Sequence, residues 1–305
     1  MVFDNVNNYD TTQGLSEETI PLLYDEDMIR ALYEAETLRP LGRDRSALLS
    51  GAGDRFQLYK RSKFAVDVIS EGEAIPVSET THDKVEVSLE WYGDAKQVTL
   101  QAAVSTFPFV LSDWNLDAVS ALGENRDNVI MTELVAGAGE TVYPGAKTSA
   151  DIAVDDKISY EQMLKGRTLM RKKHLKPQTL IVSPEDEAVL LNDDKFISVT
   201  YGEANNVSSG LIGSILRMNV ITTNAVTYSN EGSDDGIKVA NNIMLSNQPF
   251  VYAQKQAPVF AMAEIPGVRN LGYDYAYYEA FGCKVDNEDG VTILKSSVGE
   301  VEESE

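Results

Sequence analysis

The chain has 305 residues, 43% of them hydrophobic, with a formal net charge of −22 and a pI near 4.4. Its length predicts about two domains around a sizeable core, and 48 acidic against 26 basic residues make a surface that repels nucleic acid except where cations cluster. No run approaches the ~18 apolar residues that span a bilayer, and MVFDNVNNYDTTQG lacks the basic and apolar regions of a signal peptide, so synthesis in the cytoplasm without export is expected.

The first fifty residues read as an arm. DEDMIRALYEAETL places Met28, Ala31, Leu32, Ala35 and Leu38 on one helical stripe, and Pro40, Gly42, Gly51 and Gly53 punctuate its end. A lone amphipathic helix on a polar arm must bury that stripe against something outside itself. FQLYKRSKFAVDVI (56–69) predicts a strand. KVEVSLEWY (84–92) predicts a clearer one, with Val85, Val87, Leu89 and Trp91 alternating with Lys84, Glu86, Ser88 and Glu90. KQVTLQAAV (96–104), after Gly93, predicts a further strand. The first two enclose SEGEAIPVSETTHD, broken by Gly72 and Pro76, giving a long hairpin whose acidic tip carries Glu71, Glu73 and Ile75, with Lys84 beside it. A two-stranded hairpin is marginal in water, so it is expected to lie on another part of the protein or on a neighbouring subunit.

From Ser112 to about Gly137 the recurrence of Val119, Leu122, Val129, Ile130 and Leu134 predicts a long helix, ended by Gly137 and Gly139. A second helix opens on the capping pair Ser159 and Gln162 and closes with RKKHLKP, where Pro177 stops it. TLIVSPEDEAVLLNDDKF (179–196) reads as a strand running into a helix. Ser183 caps that helix, Pro184 takes its first position, and Glu185, Asp186 and Glu187 complement the dipole. Residues 200–248 mix short strands with turns such as SNEGSDDG (229–236). APVFAMAEI (257–265), YDYAYYEAFGCKV (273–285) and GVTILKS (290–296) predict three strands in an antiparallel meander, followed by the acidic, mobile tail VGEVEESE.

No catalytic, cofactor or metal site is predicted. Ser183 sits between Val182 and Pro184, without the glycines of a nucleophile elbow. The single cysteine, Cys283, excludes a disulfide framework and a cysteine zinc cluster, and reads as a buried structural thiol. His82 and His174 have no partner at ligand spacing. GSDDG and NDDK lack the EF-hand pattern, and GLIGS (210–214) is neither a Walker A loop nor a dinucleotide fingerprint. RTLMRKKHLK (167–176) is the only basic cluster; without interleaved aromatics it reads as helix termination and surface charge rather than a phosphate site. Acids spread along the whole chain are the pattern of a soluble or salt-adapted surface.

The order of these parts resembles the HK-97-like major capsid proteins of tailed double-stranded DNA viruses (bacteriophage or archaeal tailed virus), from about Asp25 to Lys295. The passage ending in Ser-Pro-Glu and LLNDDKF, GLIGSILRMNVITTNAV (210–226) and FGCKVDNEDGVTIL are similar to successive segments of that family. The chain has Arg217 and Met218 where the family often has a second small residue. The resemblance implies an α+β, HK-97-like capsid fold: an N-arm (1–50), an E-loop (51–104), a P domain with its spine helix (105–145), an A domain (146–249), and P-domain return strands with an acidic tail (250–305).

It also implies a structural protein and not an enzyme, found in the virion and assembled in the host cytoplasm. Hexamers and pentamers would close an icosahedral shell around double-stranded DNA without sequence-specific binding. Implied partners are other copies, a portal protein and scaffolding or decoration proteins, with no membrane. Subunit contacts are expected at Met28, Leu32, Glu71, Glu73, Ile75 and Lys84. Since Met1 leads directly into the arm, a separate scaffolding protein, or none, is expected. No partner motif matches Lys84 for crosslinking, so assembly is expected to be non-covalent. An encapsulin-like compartment enclosing cargo enzymes, another virion part of the same fold and an acid-catalysed hydrolase are the competing readings.

Overall fold

The computed structural model describes residues 37–49, 55–61, 68, 82–192, 214–232, 236–264 and 272–300. Its axis is the helix α1 (Leu100–Ala136), which lies against two β-sheets. The first sheet has four strands in the order β1 (Arg43–Asp44), β11 (Phe250–Glu264), β12 (Gly272–Val285) and β4 (Glu90–Thr99), with only the β1–β11 pair parallel. The second has seven strands. β5 (Glu140–Val142), β13 (Val291–Glu300), β10 (Ile237–Ser246), β6 (Pro177–Val182), β8 (Met218–Thr222) and β7 (Ser214–Ile215) follow in that order, and β9 (Tyr228–Glu231) pairs with the start of β10.

Strand alternation sorts the core into two sides. Ile181, Ile243 and Leu245 of the seven-stranded sheet meet Ile130, Met131 and Leu134 of α1, which in turn meet Phe250, Tyr252, Phe281, Cys283 and Val285 of the four-stranded sheet. The C-terminal part of α1 is thus held between the sheets. On the opposite face of the large sheet, Leu180, Val182, Met244 and Leu294 receive Met163 and Met170 of α2 (Tyr160–Lys172) and Leu190 of α3 (Pro184–Leu191). Further along α1, Ala118, Val119 and Leu122 pack on Phe260 and Tyr275.

Both expected caps form. The Ser159 hydroxyl accepts from the Gln162 amide, and the Ser183 hydroxyl accepts from the Asp186 amide, with Pro184 in the first turn. The Gln162 side chain does not close the capping box; buried, it donates to the Val142 and Lys295 carbonyls and ties α2 to the sheet.

Four expectations need correction. The strand predicted over 84–92 divides at Leu89 into β3 (His82–Ser88), paired with β2 (Arg55–Arg61), and β4, paired with β12. The alternation runs unbroken through the break, so it carries no sign that the partner changes. The strand predicted over 96–104 ends at Thr99, and α1 starts at Leu100, twelve residues before Ser112. Leu100, Gln101, Ala102 and Ala103 are good helix formers, masked in a pattern reading by the β-branched and aromatic residues and by Pro108 that follow. β11 begins at Phe250 rather than 257, because Phe250, Val251 and Tyr252 extend the buried strand.

Finally, the meander is not one sheet: β12 pairs with β11 and β4, whereas β13 lies between β5 and β10. The amides of Asp286 and Asn287 bond the Pro249 carbonyl where the chain crosses. A continuously buried run such as Val291–Leu294 reads alike in either sheet.

Candidate assembly surfaces

The β2–β3 ribbon is antiparallel with Arg55 opposite Ser88 and Arg61 opposite His82, and among the described residues neither strand pairs with any other. Its root is held where β3 meets β12: Val87 and Leu89 are buried, and the Leu89 side chain lies beside Gly282. Outward of the root the ribbon carries exposed side chains. Tyr59 is 60% exposed, with the Lys84 ammonium 5.8 Å from its ring centre, and Arg55 and Glu86 pair at 3.3 Å. Lys84 lies in the paired stem opposite Tyr59, two residues from the end of the described ribbon at His82. Met28, Leu32, Glu71, Glu73 and Ile75 lie outside the described residues.

Thr37 and Leu38 are bolted to α1 through Asp127. One Asp127 carboxylate oxygen accepts from the Thr37 hydroxyl at 2.7 Å and the Thr37 amide at 3.3 Å, and the other accepts from the Leu38 amide at 3.1 Å. Burial pushes the Asp127 carboxyl above its ordinary value, with these bonds opposing. Leu38 itself is fully buried in the main core. Thr37 and Leu38 are thus held at a fixed point on the spine of the fold.

On the face of the four-stranded sheet turned away from α1, Trp91 and Tyr278 stand side by side with ring centres 6.2 Å apart, Trp91 being 60% exposed. The opposite parity of β12 supplies Tyr275 and Tyr277 to the α1 contact. Paired exposed aromatics of this kind are common at protein interfaces.

Among the described residues the interior carries polar networks that tie helices to the sheets. Ser183 is fully buried; its hydroxyl donates to Asp186, which also accepts from the Asn242 amide at 2.6 Å and the Ser296 hydroxyl at 2.5 Å. Asn242 in turn accepts from the Ser183 amide at 2.9 Å. A serine closed off from solvent and locked in this way joins α3 to β10 and β13, in line with its reading as a cap. Among the described residues no group of three His, Cys, Asp or Glu side chains is placed to hold a metal ion.

Cys283 is buried as expected, and burial, reinforced by the charge of Glu133, raises its thiol to about 12. No thiolate is available near neutrality. The native subunit should leave a thiol-specific colorimetric reagent unreacted at about pH 8 and titrate one thiol on unfolding; rapid native labelling would contradict the burial.

Lys295 and Glu231 form a second internal pair at 2.5 Å, only 10% and 9% exposed. Burial raises the Glu231 carboxyl, but hydrogen bonding and charge from Lys295, with the Ser229 and Ser149 hydroxyls, outweigh it, and the net shift is downward from 4.5. A depressed acid binds more protons unfolded than folded. Its contribution to stability is therefore present above pH 4.5 and lost as the pH falls through the lower folded value. The stability gap between wild type and Glu231→Gln should narrow between about pH 6 and pH 3. A gap independent of pH in denaturant titrations would refute this.

Two buried charges were not picked out by sequence reasoning. Arg126 of α1 and Glu279 of β12 are both fully buried and bonded through Nε, at 2.9 and 2.8 Å, and through Nη2. The available signals were a charged ENRDN run within an apolar helix and a lone Glu in the aromatic strand YAYYEAF.

Comparison with known proteins gives these surfaces a context. A family profile described as phage capsid protein matches residues 83–294. The capsid structure of the cyanophage P-SCSP1u superposes with a TM-score of 0.69 at 10% identity, covering 85% of this chain and 87% of that one. The Mycobacterium phage Che8 structure gives 0.65 at 13%, covering 85% and 90%. A virus-like particle from Pyrococcus furiosus gives 0.54 at 12%, covering 90% and 98%. At such identities the likeness is one of fold. No curated protein matches the sequence.

Proposed function

We propose that this chain, which belongs to the phage capsid protein family, closes into hexamers and pentamers of an icosahedral shell around double-stranded DNA. It is a major capsid protein of HK-97-like fold, a building block of the head shell. The observation that best supports the finer reading is the β2–β3 ribbon, which among the described residues pairs with no other strand, is rooted on β12 and carries exposed Tyr59 and Lys84. Such a ribbon is marginal by itself and gains its stability across a subunit boundary. Obligate interfaces of this kind bury roughly 2,000–5,000 Å².

In this reading residues 1–50 are the arm, 51–104 the E-loop, 105–145 with the return strands of 250–305 the P domain around α1, and 146–249 the A domain. The A-domain sheet takes β5 and β13 from the adjoining segments. The subunit has a structural and no catalytic role, assembles non-covalently in the host cytoplasm, and works with a portal and with scaffolding or decoration proteins. Subunit contacts fall on Met28, Leu32, Glu71, Glu73, Ile75 and Lys84. A mainly acidic coat confines DNA without holding it tightly.

The likeness to a virus-like particle gives a second reading some footing: a compartment shell that encloses cargo enzymes. Particles purified from infected or expressing cells separate the two. Nuclease-protected, genome-length DNA is the expected content; a packaged enzyme with no protected DNA would establish the compartment instead.

A further inference from the structure

Six of the chain's 26 cations fall within residues 165–176, where there is no acid; the other 20 face all 48 acids. The structure places this segment on α2 and the turn that ends it. Lys173 is committed internally, bridging Glu140 at 2.8 Å and Asp289 at 2.7 Å. The rest are not: among the described residues Lys165, Arg167, Arg171, Lys172 and Lys176 make no ion pair, and all but Arg167 are exposed. The helix dipole accounts for cations in the last turn, Arg171 and Lys172, but its effect does not reach back to Lys165 and Arg167.

The spacing arranges these groups on one outward stripe. Glu161, Leu164, Lys165, Thr168, Arg171 and Lys172 are exposed at helical intervals, while Gln162, Met163, Gly166 and Met170 face the sheet. Two details favour a protein over a polyphosphate as the occupant. Leu164 is 43% exposed on the stripe, and Glu161 closes one end with a negative charge that a phosphate backbone would avoid. No exposed aromatic is present on the stripe for base stacking.

We propose that the basic face of α2 docks on the acidic surface of a second copy of this chain. A basic patch that meets a different, acidic patch on an identical subunit is a head-to-tail contact, the kind that closes rings. The inference rests on the capsid reading and names a surface through which its capsomers form. Opposite charge across such a contact also speeds encounter and fixes orientation.

The test is charge reversal with a neutral control. Lys165→Glu/Arg171→Glu/Lys172→Glu and the corresponding Gln triple are compared with wild type by sedimentation and electron microscopy, after circular dichroism confirms folding. Expected is a wild type whose assembly weakens as salt rises, a Gln triple that needs about tenfold more protein to form rings or shells, and a reversed triple that forms none. Should the reversed triple misfold, the Gln triple decides. Variants that assemble as wild type does overturn the proposal. So do variants that assemble normally but retain less nucleic acid, an outcome that would assign the face to DNA. A wild type that forms neither rings nor shells under any condition fails differently, at the capsid reading itself.

Discussion

Glu279→Gln is expected to destabilise the unassembled subunit by about 3–5 kcal/mol in urea titrations followed by circular dichroism. The change removes the carboxylate but keeps its shape, leaving the Arg126 guanidinium inside a fully buried site at the contact of α1 with β12. The Phe281 ring, 5.8 Å from the guanidinium carbon, adds a weak cation–π contact. The pair is a liability as well as a link, since taking two charges out of water costs several kcal/mol per ion. Arg126→Met/Glu279→Leu should therefore recover most of the loss. A single substitution costing under about 1 kcal/mol would mean the site admits water or that the charge finds another partner.

The second large effect is expected at Gly282, where the ribbon is rooted. A Cβ there would run into the carbonyl oxygen of Ser88 and come within 3.3 Å of the Leu89 side chain. The obstacle is backbone, so relief requires moving the link between β3 and β4 away from β12. Gly282→Ala should lower subunit stability by about 1–3 kcal/mol. Because the same movement re-aims the β2–β3 ribbon, it should also abolish closed shells while leaving a folded subunit. Normal shells from Gly282→Ala would show that the ribbon tolerates a changed root and does not set subunit geometry.

Much of the fold was legible because it is encoded locally. The caps at Ser159 and Ser183 were readable from residue types within four positions, as were the proline at the start of α3 and the apolar spacing of α1 after Ser112. What the sequence withheld were choices of partner. Leu89 marks the change from β2 to β12 without disturbing the alternation, and β13 is apolar enough to suit either sheet. The start of α1 at Leu100 set helix-forming residues against Pro108 and its aromatic neighbours, and local pattern gave the wrong answer.

The candidate surfaces divide in the same way. The hairpin was visible in its alternation, and the basic run 167–176 in composition, yet only the structure shows which of its cations are committed to Glu140 and Asp289. Asp127 reads as an ordinary polar residue on a helix. Its bonds to α1's distant neighbours Thr37 and Leu38 span some ninety positions of sequence.

The central claim, that these subunits are built to enclose a space, is tested most directly by negative-stain electron microscopy of the purified full chain at low and at high salt. Closed shells, or rings of six and five, are the predicted result. Compact monomers under every condition would contradict it.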